Sequence, residues 1–250
     1  MIQGVIFDLG STLIRFSGEW SQVFEHSLDV LVEELDMEGL SFDQAGFKHD
    51  FSRAVADYHQ QRKRDLIERT TEVVLTETLT EHLGSPPPLS SVKRAITAMY
   101  KVSQGRWSAL PSTHAVLETL RQRGLKLGMI SNASDESDVY ALIDKAGIRK
   151  YLNPILTSAG YGVRKPHPDI FRAVLDDWGL PAERVVMVGD MLEADILGAN
   201  RVGMPNIWMT EVIDRSQVRS PYPVEPDAIV EELVEVPAVI ETFIQKGHGS

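Results

Sequence analysis

Arg184-Val185-Val186-Met187-Val188-Gly189-Asp190 is the stretch from which the fold is read. It is a short apolar run with no polar face, ended by glycine and aspartate, and so reads as a strand buried on both sides. Beyond it, Ala194 to Val202 carries helical spacing and Asn206 to Met209 is another short strand. The alternation also runs upstream. Thr113 to Arg123 is a helix ended by Gly124, and Leu125 to Ile130 is a strand closed by Ser131-Asn132. Asp135 to Ala146 is a helix, Pro154 to Thr157 a strand and Pro168 to Trp178 a helix, and Val230 to Ile244 reads as the closing helix. Strands alternating with helices of this length predict βαβ units. The expected fold is α/β, a doubly wound, Rossmann-like parallel sheet covered on both faces.

The N-terminal run, residues 2–7, is one more buried strand, cut off by Asp8 and Gly10. The next hundred or so residues have a different character. Trp20 to Leu35, Phe42 to Tyr58, Thr70 to Leu83 and Val92 to Val102 all repeat at helical spacing, punctuated by Gly84-Ser85-Pro86-Pro87-Pro88, which is incompatible with a helix interior. A βαβ crossover needs about 30 residues, so roughly 85–90 are surplus here. They read as an all-helical domain inserted after the first strand. The expected boundaries are a core of residues 1–15 and 105–250 and an insertion of residues 16–104. Gly247-His248-Gly249-Ser250 reads as a disordered end.

The composition excludes several functions. Among 250 residues, 43% apolar and 24% charged, there is no cysteine, which removes disulfides, thiolate zinc sites, iron–sulfur clusters and cysteine nucleophiles. A net charge of −11 gives no attraction to nucleic acid or anionic membranes, so neither is an expected partner. No leader is visible and no stretch approaches the ~18–20 apolar residues of a membrane span, so a soluble, cytoplasmic protein is expected. The seven histidines show no ligand spacing.

In an open parallel sheet the site lies at the carboxyl ends of the strands. Four polar clusters fall there: Asp8-Leu9-Gly10-Ser11-Thr12, Ser131-Asn132, Arg164-Lys165-Pro166, and Gly189-Asp190 with Asp195 five residues on. One aspartate at a strand end is commonly a turn former or helix cap. Four such clusters in order, each beyond an apolar strand, point to a site.

With these residues the chain resembles a haloacid dehalogenase superfamily hydrolase with a helical cap inserted after the first motif. VIFDLGSTL at 5–13, LGMISNAS at 127–134, GVRKPHPDIF at 162–171 and VVMVGDMLEADILGANRVGM at 185–204 carry the likeness. The resemblance implies a phosphatase acting on a small phosphorylated substrate, and phosphoryl transfer needs an in-line nucleophile and cations facing the phosphate oxygens. It makes Asp8 the nucleophile, through an aspartyl-phosphate intermediate. Asp8, the Gly10 carbonyl and Asp190 are implied as ligands of Mg²⁺, a hard cation that prefers oxygen. Lys165 is the expected positive charge beside nucleophile and phosphate, and Ser131 holds phosphoryl oxygens. Asn132 has two readings, orienting Ser131 or contacting substrate. Asp195 is read as supporting the metal's water shell, beside the plainer reading of a helix N-terminal carboxylate. Thr12 is expected to brace the first loop by hydrogen bonding, Gly162 to serve a turn, and Arg62-Lys63-Arg64 to be a solvated helix face.

The chain departs from the family pattern at Gly10. Most phosphatases of the family have there a second aspartate that serves as general acid and then general base. Its loss removes an aid worth about 10²–10⁴-fold while leaving the carbonyl ligand in place. Two alternatives stand beside the phosphatase: a C–P bond hydrolase resembling phosphonoacetaldehyde hydrolase, with Lys48 as its Schiff-base lysine, or a catalytically weak binding or assembly protein. Specificity is expected from the cap and from Arg15 to Trp20, a lid hinge containing Gly18. Substrate identity and oligomeric state are not legible.

Overall fold

A computed structural model describes residues 1–213 and 223–246. The Gly247–Ser250 end lies outside the described residues. The chain begins with β1 (Gly4–Phe7) and β2 (Ile14–Phe16), then four helices, α1 (Trp20–Met37), α2 (Gln44–Asp65), α3 (Thr71–Leu83) and α4 (Leu89–Gln104). It returns through β3 (Trp107–Ala109), α5 (Thr113–Gln122), β4 (Lys126–Ser131), α6 (Glu136–Lys145), β5 (Ile155–Thr157), the short α7 (Ser158–Tyr161) and α8 (Pro168–Trp178). The last part is β6 (Val185–Gly189), a π-turn at Leu192–Ile196, α9 (Leu197–Val202), β7 (Asn206–Met209), β8 (Ala228–Val230) and α10 (Val236–Lys246).

Six strands form one parallel sheet in the order β5-β4-β1-β6-β7-β8. β1 lies at its centre, with Val5 beside Leu127 on one side and Val186 on the other. The winding direction reverses there, which opens a crevice above β1. Alternation within each strand fills both faces. Val5 and Phe7 join Leu117, Val139 and Ile240 on one face, while Ile6 meets Ile170, Phe171 and Val174 on the other. Such strands have no exposed face, hence their unbroken apolar character.

The all-helical insertion has its own core, in which Leu31, Leu35, Phe47, Phe51, Leu75 and Leu79 are essentially inaccessible. Both of its chain connections pass through an antiparallel ribbon the sequence did not reveal, where Ile14 pairs with Ala109 and Phe16 with Trp107. Three residues per strand are too few for alternation to register.

Two further readings are corrected. Val230 ends a sixth strand rather than starting a helix; α10 begins at Val236 after a 3₁₀ turn at Leu233–Glu235. Val230, Leu233, Val236 and Ile240 are all buried, so their spacing imitated one helix face. The helix expected from Ala194 opens instead with the π-turn, which turns Asp195 back beneath β6. Among the described residues no helix is long and apolar enough to cross a membrane.

Candidate active site

Asp8 comes directly after β1, where its N–H donates to the Val188 carbonyl at 2.9 Å, so the central strand itself aims it into the crevice. The next residues curl tightly, with Leu13 and Ile14 N–H groups donating to the Leu9 carbonyl at 2.9 and 3.1 Å. Ser11 takes a left-handed φ of 61°, a strained conformation for a residue with a side chain. Thr12 does not brace this loop by hydrogen bonding: its hydroxyl is fully buried without a hydrogen-bond partner among the described residues. The backbone closes the turn unaided.

Lys165 is 2% exposed. Its Nζ lies 2.6 Å from Asp8 Oδ1, 2.6 Å from Asp195 Oδ1 and 2.7 Å from the Ile130 carbonyl. Burial alone would lower its pKa, but the Asp195 and Asp8 carboxylates outweigh that and hold it above the ordinary lysine value. It is a fixed ammonium. Asn132 lines the cavity half-buried and makes no hydrogen bond to Ser131 among the described residues. Its Nδ2 donates to the Lys165 carbonyl at 3.0 Å and its Oδ1 accepts from the Lys165 N–H at 2.8 Å, a two-point clip that sets the lysine backbone. Ser131, the last residue of β4, is buried in the cavity wall.

Asp190 comes directly after β6 and lines the cavity, and Asp195 sits behind it, 1% exposed, accepting from the Met191 N–H at 2.9 Å. Asp195 reaches this place only because residue 189 is glycine, since a Cβ there would lie 2.3 Å from its Cγ. One carboxylate oxygen from each of Asp8, Asp190 and Asp195 falls within 4.8 Å of the others. Burial, with the charges of Asp8 and Asp195, pushes the Asp190 carboxyl well above the carboxylate range. Three carboxylates face one lysine, and every donor is a hard oxygen. That charge balance and donor set fit a divalent cation such as Mg²⁺.

Above this floor opens a cavity of about 670 Å³, lined mostly by apolar side chains from core and insertion. Gly10 lies at its base, and a Cβ there would meet the Trp107 ring at 3.5 Å, an ordinary contact. Among the described residues no other aspartate or glutamate comes from the loop Leu9–Phe16. Lys48 is not in the cavity wall; it pairs with Asp29 at 2.9 Å, which removes the Schiff-base lysine of the C–P hydrolase alternative.

The structure adds residues that the sequence reading passed over. Glu68, between α2 and α3, has a fully buried carboxylate. It accepts from Tyr58, from Ser134 at 3.1 Å, from Ser158 at 2.7 Å and from Arg164 at 2.9 Å. Around it the insertion pairs with the segment that carries Lys165. The Glu68 N–H donates to the Gly162 carbonyl at 2.9 Å and the Arg164 N–H to the Leu66 carbonyl at 2.9 Å. Gly162 does occupy a turn, at φ 94°. Arg62 is not part of a solvated face: it is half-buried and lines the cavity, whereas Lys63 and Arg64 are exposed. Phe51, Val55, Tyr58 and Arg62 succeed one another at helical spacing, a signal that could have found it.

Residues 2–203 match the family model described as haloacid dehalogenase-like hydrolase, and the chain belongs to that family. It is 27% identical over 209 residues to a glyceraldehyde 3-phosphate phosphatase of Methanopyrus kandleri, covering 83% of each chain. It is 30% identical over 165 residues to a phosphoserine phosphatase of Thermus thermophilus, covering 66% of this chain and 63% of that one. A 2-haloacid dehalogenase structure from Pseudomonas syringae pv. tomato superposes with a TM-score of 0.67 at 22% identity, over 97% of this chain and 100% of the other. That last likeness concerns the fold, a doubly wound sheet with a helical cap.

Proposed function

We propose that the chain is a Mg²⁺-dependent phosphatase that hydrolyses a small phosphate monoester through an aspartyl-phosphate at Asp8. The observation that carries this reading is the Asp8–Lys165–Asp195 cluster, with Asp190 beside it, at the floor of a cavity closed by the cap. The names of the curated relatives support the phosphoryl chemistry. In this reading residues 1–15 and 105–250 are the catalytic core and residues 16–104 the cap.

An oxygen of Asp8 attacks phosphorus, the bond from phosphorus to the ester oxygen breaks, and that oxygen departs with the bonding electrons as an alkoxide or aryloxide that takes its proton from water. Water then attacks phosphorus of the aspartyl-phosphate, releasing inorganic phosphate and regenerating the carboxylate. Lys165 is paired with Asp8 and faces the transferring group with a fixed positive charge, while Ser131 donates to a phosphoryl oxygen. Asn132 is a positioning residue, acting through the Lys165 backbone. Asp8, the Gly10 carbonyl and Asp190 would hold Mg²⁺, with Asp195 supporting them from behind. When bound, the cation neutralises phosphoryl oxygens and aligns them with the nucleophile.

Gly10 supplies no proton to the departing oxygen, so turnover should depend on how well that oxygen leaves unprotonated. The test is steady-state hydrolysis of aryl and alkyl phosphates with Mg²⁺ and with chelator. Aryl esters should turn over far faster, and only with Mg²⁺. Gly10→Asp, whose Cβ has room beside Trp107, should raise the alkyl rate by up to about 10²–10⁴-fold. Inactivity of both proteins toward every phosphate ester would overturn the reading in favour of a binding protein.

A further inference from the structure

The cations that line the cavity differ in one respect. Lys165 is committed to Asp8 and Asp195, and Arg69 is ion-paired with Glu77. Arg62 lies against the Tyr58 ring, 5.4 Å from its centroid, and among the described residues no carboxylate is within ion-pairing distance of it. Glu68 attracts it from farther off, but that carboxylate already accepts from Tyr58, Ser134, Ser158 and Arg164. A guanidinium carries several N–H groups, so Arg62, beside the Tyr58 ring and hydrogen-bonded to that side chain, keeps others for an acceptor, and a carboxylate or phosphate matches a guanidinium edge with two hydrogen bonds.

The surroundings strengthen the case. Burial, then repulsion from Arg164, lowers the Arg62 pKa, as expected where positive charge is left uncompensated. His59, one turn back on the same face of α2, is held neutral: burial and the charges of Arg62, Arg164 and Lys63 push its pKa down to about 4. Further along that face Val55 and Phe51 line the cavity with apolar surface. The cavity therefore has an anion-accepting patch on its cap wall, separate from the carboxylate floor.

We infer that Arg62 is the binding group for a second anionic substituent, so that the substrate is a phosphate monoester bearing a carboxylate or further phosphate on an apolar body. This rests on the phosphatase reading for the phosphoryl end and adds the class of molecule attached to it.

The test separates binding from turnover. Straight-chain ω-carboxyalkyl phosphonates of graded length, and their neutral primary-amide counterparts, are titrated calorimetrically into the full-length protein with Mg²⁺. The corresponding phosphate esters are assayed for turnover. At the length that spans the cavity, the carboxylate should bind about 10-fold tighter than the amide. Arg62→Gln should abolish that difference by weakening the carboxylate far more than the amide, and Arg62→Lys should restore part of it. A preference lost in Arg62→Gln with no turnover of any ester would sustain this inference and overturn the phosphatase reading. Turnover without any carboxylate preference, or an equal loss for both ligands in Arg62→Gln, would overturn the inference, the second result assigning Arg62 to the phosphoryl group.

Discussion

The sheet and the helical insertion build the same cavity in opposite ways. Lys165, Asp195, Asp8 and Asn132, on the sheet side, are spent on one another. Lys165 and Asp195 are 2% and 1% exposed and 2.6 Å apart, and Asn132 uses both ends of its amide on the lysine backbone. The insertion contributes a largely apolar wall and, in Arg62, a cation without a carboxylate partner among the described residues. Groups that satisfy each other hold a fixed geometry, whereas a group left unsatisfied is available to a ligand. Under the proposed function, the chemistry belongs to the sheet and the choice of molecule to the cap.

The largest effect should come from the sheet. Asp8→Asn keeps the shape of the side chain but removes the nucleophile of the proposed mechanism. Hydrolysis of every phosphate ester should fall on the order of 10⁴-fold or more with the circular dichroism spectrum unchanged. Persistent turnover of an aryl ester would show that chemistry is not confined to the sheet.

The next effect lies at the join. Glu68→Ala leaves Arg164, whose side chain is 12% exposed, without its partner in a buried site. Breaking such a pair costs about 3–5 kcal/mol, read as a lower urea midpoint. Glu68→Gln, which retains acceptors for Tyr58 and the serines, should lose less. Equal, negligible losses would mean that the contact between insertion and core is not held at Glu68.

The smallest effect sharpens the division from the core side. Asp138 in α6 accepts from Gln104 of the insertion at 2.9 Å, and burial raises its pKa from 3.8 to about 6, with Asp135 adding to the rise and Gln104 opposing it. The folded state therefore holds this proton more tightly than the unfolded chain. The group is neutral in both states below about pH 4. Its cost to stability grows between about pH 4 and 6 and is complete above. Asp138→Asn should stabilise the protein at pH 8 on the order of 2 kcal/mol and leave it unchanged at pH 4, by denaturant unfolding at both values. A pH-independent difference would remove ionisation as the cause.

The same division governs what could be read from sequence. The strands of the core announce themselves, because burial on both faces demands apolar runs such as Val185–Val188, and a polar residue stops each one at the crevice. Asp8, Ser131, Lys165 and Asp190 are therefore legible. Glu68 is not, since nothing local distinguishes it from the neighbouring acidic residues; its partners are Ser134, Ser158 and Arg164, brought to it only by the fold. Arg62 was hidden by the charges around it, although Tyr58 and Val55 mark its face of α2. Thr12 taught a different lesson. A threonine in a tight loop reads as a hydrogen-bonding brace, yet the backbone of Leu9 to Ile14 closes that turn alone.

The central position of β1 also orders events during biosynthesis. Gly4 ends up between Lys126 and Val185, so the strand bearing Asp8 lacks its first neighbour until about half of the chain has been made and its second until most of it has. The four helices after it need no such wait, because their apolar side chains pack within one continuous stretch of chain. The cap is thus free to condense early while β1 remains an unpaired, aggregation-prone apolar segment tethered to it. The short ribbon Ile14–Phe16 with Trp107–Ala109 then draws the two ends of the insertion together, shortening the loop that must close before β1 finds β4.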